Sequence, residues 1–183
     1  MPLAHSPVEG LNSFYNGLLH PVLVPAQLLL LVAWGLFLVQ NPPENYRPAV
    51  FAYLVATAVG LIIAWFSTAR EMQSFLLGGA VIIGLLVAAN RAVGPFLCAS
   101  IAALTGVLVG LDSAQNELSG FEKLLSFLGC SLGLVLLPCI PFAFTDHLNK
   151  SERRKIAVRI IGSWLAAIAL LVLALSFAPA TPD

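Results

Sequence analysis

Hydroxyl and amide side chains apart, three histidines, three cysteines, nine acidic and nine basic side chains are what this 183-residue chain offers for acid–base, nucleophilic or metal-binding chemistry. The histidines are His5, His20 and His147. His20 stands in Gly17-Leu18-Leu19-His20-Pro21, at the mouth of a long apolar stretch. Gln27 follows two helical turns later, on roughly the same face. Asp112 closes another apolar stretch ahead of Ser113-Ala114-Gln115-Asn116-Glu117, and Asp146-His147 closes a third. Neither recurs at metal-ligand spacing with another histidine or cysteine, so both read as polar helix ends. Cys98, Cys130 and Cys139 lie in apolar surroundings, and an odd count there argues against a disulfide framework. Cys130 and Cys139 project from opposite faces of a helix that turns about 100° per residue, so they read as small buried hydrophobes rather than as a shared metal site. No apolar stretch pairs a nucleophile with a base or an acid, and enzyme chemistry is not expected.

The elements that must position these groups follow from composition. Apolar residues make up 59% of the chain and charged residues 10%, against roughly 45–50% and about 25% in an ordinary globular protein. The mean hydropathy is +0.93. A soluble domain of this size cannot hide so much apolar surface. With no net charge there is also no basic excess to meet nucleic-acid phosphates. Every charged residue falls outside six apolar stretches, at 21–39, 48–66, 72–89, 92–111, 124–144 and 160–178. Each is long enough, at about 1.5 Å per residue, to cross a hydrocarbon core of roughly 30 Å. The alternation of a transmembrane strand is missing. The expectation is an all-α, polytopic transmembrane helical bundle of six spans, a single domain over 1–183. The third and fourth spans, separated by Asn90-Arg91, are expected to form a tight hairpin.

Basic residues set the orientation. With the N-terminal side outside, the loops facing inward carry Arg47, Arg91, Lys150, Arg153, Arg154, Lys155 and Arg159, and the outer loops carry only Arg70 and Lys123. The positive-inside rule then places both termini outside the cytoplasm. The cluster at 150–159 reads as a topology anchor, with binding of anionic lipid headgroups as an alternative. Residues 1–16 lack the basic and apolar regions of a signal peptide, and none is expected there. Leu11, Phe14, Tyr15, Leu18 and Leu19 share one helical face, as in a short interfacial helix. Pro138-Cys139-Ile140-Pro141 must loosen the fifth span. Such a break either lines an ion path or is satisfied by neighbouring helices. Gly106-x-x-x-Gly110 and Gly129-x-x-x-Gly133 each set small residues one turn apart, which lets backbones approach closely. These faces are expected to pair the fourth and fifth spans within the monomer, a dimer seam being the alternative.

The stretch from Gly17 to Leu29, Gly-Leu-Leu-His-Pro-Val-Leu-Val-Pro-Ala-Gln-Leu-Leu, resembles the first span of the HupE/UreJ family. These are small six-helix membrane proteins, found beside hydrogenase and urease systems and regarded as nickel or cobalt permeases. In that family a His-Pro pair is followed by a glycine and then by an Asp-His pair thought to bind the metal. Here His20-Pro21 matches, Val24 replaces the glycine, and Ala26-Gln27 replaces Asp-His. A histidine-glycine repeat of the fourth span falls on Thr105-Gly106-Val107-Leu108-Val109-Gly110, with both glycines kept and the histidines replaced. The resemblance implies a multi-pass protein of a bacterial inner membrane that transports nickel or cobalt ions, through a path of His20, Gln27, Thr105 and Asp112, and that needs no bound cofactor. The alternative is a non-transporting accessory or structural subunit, packed through its glycine faces against other membrane protein subunits. Its partners otherwise are the lipids of the bilayer.

Overall fold

Prolines and glycines decide where the helices of this chain begin, bend and touch. The computed structural model describes residues 10–67, 72–114, 118–147 and 152–177. Within them every regular element is an α-helix: α1 Ser13–Leu23, α2 Pro25–Gln40, α3 Pro43–Phe66, α4 Gln73–Ala89, α5 Pro95–Asp112, α6 Gly120–His147 and α7 Glu152–Ser176. Pro25, Pro43 and Pro95 each open a helix, where the missing N–H costs nothing. Asn90 closes α4 in the left-handed conformation (φ 51°), its N–H turned back to the carbonyls of Leu86 and Val87. Four of the helices, α3, α5, α6 and α7, are long and apolar enough to cross a membrane, and α1 with α2 makes a fifth if the bent pair counts as one span. Helix α4 is apolar but shorter, at 17 residues.

The stretch 21–39 is not one continuous helix. Helix α1 starts at Ser13, capped by the Asn12 side chain accepting from the Tyr15 N–H at 3.1 Å, and carries His20-Pro21 in its last turns. It ends at Val24, and α2 leaves at 72° to it. The cause is Pro25. Its ring disfavours α-helical geometry at the preceding residue, and here, unlike at Pro21, Pro48, Pro138 and Pro141 inside their helices, that residue, Val24, is extended (φ −92°, ψ 104°). The short helix expected on the face of Leu11, Phe14, Tyr15, Leu18 and Leu19 is α1, which runs on through His20-Pro21 to Leu23, while residues 1–9 lie outside the described set.

Three helix pairs, α3 with α5, α1 with α6 and α4 with α7, surround α2, which is buried along most of its length and packs on α4 and α6. Glycine sets each contact. A Cβ on Gly110 would lie 2.8 Å from the Gly60 Cα, and one on Gly106 would lie 2.6 Å from the Tyr53 carbonyl oxygen, so α5 rides directly on the α3 backbone. Gly129 meets the backbone of Phe14 and Leu18, Gly133 that of Leu18, and Gly17 that of Ser126. Gly84 and Gly162 do the same for α4 and α7. The expected pairing of Gly106/Gly110 with Gly129/Gly133 is thus replaced by two separate seams, α5 on α3 and α6 on α1. The expected α4–α5 hairpin also opens, because α4 packs chiefly on α7 and α5 on α3.

The prolines of α6 interrupt its ladder without ending it. Pro138 cannot donate to the Leu134 carbonyl, and the buried Tyr53 hydroxyl donates to that oxygen instead, at 2.7 Å. Here a neighbouring helix satisfies the freed group. At the opposite end of α2, amide side chains tie the bundle. Gln40 donates to the Val87 carbonyl, Asn41 accepts from the Val93 N–H, and Asn45 donates to the Val93 carbonyl.

Candidate functional site

The break at Val24 brings three polar side chains from three helices into one chain of hydrogen bonds. His20 comes from the last turn of α1, Gln27 from the first turn of α2 and Asp112 from the last turn of α5. Gln27 is completely buried and His20 is 8% exposed, whereas Asp112 is half-buried. The Gln27 Nε2 donates to Asp112 Oδ2 at 2.6 Å and lies 3.4 Å from His20 Nε2. An amide nitrogen has two hydrogens and no acceptor capacity, so His20 Nε2 takes the acceptor role and its proton is assigned to Nδ1. The Gln27 Oε1 is buried and has no partner among the described residues. Such an orphaned acceptor costs about 1–3 kcal/mol, and this one sits beside a carboxylate and an imidazole.

Local electrostatics favour the arrangement. Helix α2 begins without a side-chain cap, so its partial positive charge faces the site. The bond from its first-turn residue Gln27 draws the Asp112 carboxylate to that end. Behind Asp112, the Ser113 hydroxyl donates to the Val109 carbonyl at 2.7 Å, and buried Cys130 of α6 lies near both Ser113 and Asp112. Cys130 is ten residues into α6, about 15 Å along its axis, and the cluster runs from fully buried Gln27 out to half-buried Asp112.

The site residues expected from sequence are thus treated unequally. His20, Gln27 and Asp112 meet. Thr105, two turns before Asp112 on the same face of α5, is buried but makes none of the cluster's hydrogen bonds; its neighbour Gly106 faces Thr57 of α3. The side chains of Asp146 and His147, and all of His5, lie outside the described set. Among the described residues no three His, Cys, Asp or Glu side chains gather closely enough to hold a metal ion. A cation here would meet one imidazole, one carboxylate and one amide oxygen. Sequence reasoning missed Cys130 as a neighbour of the cluster, for which local spacing carries no signal. It also missed the break, for which Pro21 and Pro25, one turn apart, do carry one.

The family model described as HupE / UreJ protein matches residues 1–172. The chain belongs to the HupE/UreJ family. Comparison with curated proteins and with solved structures found no match. The apolar helices and this membership together make the chain a membrane protein. This HupE/UreJ protein carries its polar cluster at the span where the His-Pro pair stands, with Gln27 in its interior.

Proposed function

We propose that this HupE/UreJ protein is a permease for small divalent transition-metal cations such as nickel or cobalt, using the break between α1 and α2 as its binding point. The observation that carries the reading is the fully buried Gln27, which links His20 to Asp112 and keeps an unpartnered acceptor oxygen. Broken helices whose freed ends face a polar cluster inside a bundle are a recurring way to hold an ion in transit. In this reading the Asp112 carboxylate attracts the cation, and His20 and the Gln27 Oε1 replace part of its water shell. Few ionisable ligands make a weak site, which suits passage, since an ion must leave as readily as it enters. Thr105, deeper on the same face of α5, extends the path.

Counting α1 and α2 as one span and α4 as another gives six crossings. The distribution of basic residues supports both termini outside the cytoplasm, and the resemblance to the family supports a bacterial inner membrane. An accessory subunit docking through its glycine faces has less support, because Gly106, Gly110, Gly129 and Gly133 already meet backbones of this same chain. The deciding experiment is nickel- or cobalt-dependent uptake in a strain lacking other importers. Uptake that requires the chain, and fails with Asp112→Asn at equal protein level, supports the permease. Unchanged uptake on deletion, together with a stoichiometric membrane partner on mild purification, would reverse the choice.

A further inference from the structure

At the far end of α2 from the cluster, two open cavities flank the seam between the end of α4 and the start of α7. One, of about 280 Å³, is lined by residues including Gln40, Asn90 and Lys155. The other, of about 230 Å³, is lined by residues including Ala88 and Arg159. Lys155 and Arg159 are four residues apart, so they share one face of α7 and give each cavity one cation. Arg159 is bound to the Ala88 carbonyl through Nε at 2.9 Å, which fixes the guanidinium at the rim and leaves both Nη groups for an anion.

We infer that this seam binds one anionic phospholipid whose headgroup carries hydroxyl donors as well as a phosphate, as in phosphatidylglycerol. Three observations lead there. Two cations on a bundle end, between transmembrane helices, form the kind of basic pocket that takes lipid phosphates. The Gln40 Oε1 is buried in the same place without a partner among the described residues, since its Nε2 is spent on the Val87 carbonyl. It is an acceptor, so it calls for a hydroxyl donor, which a glycerol headgroup carries at any pH, a choline headgroup lacks, and a phosphate monoester loses above its second ionisation near pH 6. Directly beyond the cations, Ile156, Ile160, Trp164 and Ile168 form an exposed apolar row at intervals of four residues along α7, placed to take an acyl chain. A free phosphate would use the cations and ignore the row.

The test is a titration of the purified full chain in neutral detergent at about pH 8.5, where a phosphate monoester has lost its P–OH, read by native mass spectrometry, with phosphatidylglycerol, phosphatidic acid, phosphatidylcholine and inorganic phosphate. Phosphatidylglycerol is expected to bind most tightly. Lys155→Gln or Arg159→Gln should each weaken it about fivefold, equivalent to the ~1 kcal/mol that one basic residue contributes near an anionic surface. Arg47→Gln, which removes an exposed charge from α3, should leave it unchanged. Gln40→Leu should erase the preference over phosphatidic acid. Should Arg159→Gln fail to fold, Lys155→Gln carries the same comparison. Equal weakening by Arg47→Gln, equal affinity for phosphatidylcholine, displacement of the lipid by inorganic phosphate, or a preference untouched by Gln40→Leu would each overturn the inference.

Discussion

Replacing Gln27 by leucine separates what this side chain does for folding from what it does for transport. In the folded chain Gln27 makes one short charge-assisted bond, 2.6 Å to Asp112, and one long, weak one, 3.4 Å to His20, and leaves one buried oxygen unpaired. The short bond is worth about 1.5–3 kcal/mol, the long one lies at the limit of hydrogen bonding and adds little, and the orphaned acceptor costs about 1–3 kcal/mol, so gain and cost nearly cancel. Leucine has a similar volume and removes all three. Asp112 is half-buried and can turn to water when the amide goes. Gln27→Leu should therefore change stability by less than about 1 kcal/mol, a shift in Tm of no more than about 4 °C for a chain of this size. Transport should respond differently. If the Oε1 replaces one water on the passing ion, its loss removes about 1.4 kcal/mol or more, a tenfold or larger drop in uptake. The assay pairs thermal unfolding in detergent with initial rates of nickel or cobalt uptake at matched membrane levels. A Tm fall above about 8 °C would mean the amide is a structural pin whose orphaned oxygen costs little. Uptake within about twofold of wild type would remove Gln27 from the path, since that corresponds to under about 0.5 kcal/mol.

Gly110→Leu should cost more than about 1 kcal/mol, because even a Cβ there would come within 2.8 Å of the Gly60 Cα, whereas Leu170→Ile on the exposed face of α7 should cost almost nothing; equal tolerance in thermal unfolding would make the α3–α5 seam incidental. Tyr53→Phe should destabilise by about 1–3 kcal/mol by orphaning the Leu134 carbonyl. Most of that loss should disappear in a Pro138→Ala background, where the α6 ladder can recover the oxygen, and a double-mutant cycle with no coupling would refute the account. In a background without native cysteines, a cysteine at exposed Ser119 should react with an impermeant thiol reagent outside intact cells, and one at exposed Glu44 should not; the reverse labelling would invert the proposed orientation. Calorimetry should find nickel and cobalt bound no tighter than roughly 0.1 mM, about −5.5 kcal/mol, and micromolar binding lost in His20→Ala would show a stronger ligand set than the three side chains at the break provide.

The sequence alone determined that this chain is a helical membrane protein, because hydropathy is a local sum and the charges fall between the apolar runs. It also carried the family, through His20-Pro21 and the placement of glycines. Proline chemistry at Pro21 and Pro25 was legible in principle, since the break at Val24 needs no distant partner. The tertiary structure decided which backbones touch. Gly106/Gly110 and Gly129/Gly133 have identical spacing, and nothing local distinguishes a helix that will pack on α3 from one that will pack on α1. Only complementary surfaces elsewhere, Gly60 of α3 for the one and the Phe14 and Leu18 backbone of α1 for the other, make that choice. The cluster follows the same logic. Gln27 and Asp112 are 85 residues apart, and only the seam of α5 on α3, the seam of α1 on α6 and the bend that swings α2 away from α1 bring the amide to the carboxylate. Composition counts what each residue prefers to touch, but close packing is a relation between two surfaces, and it exists only when both are in place.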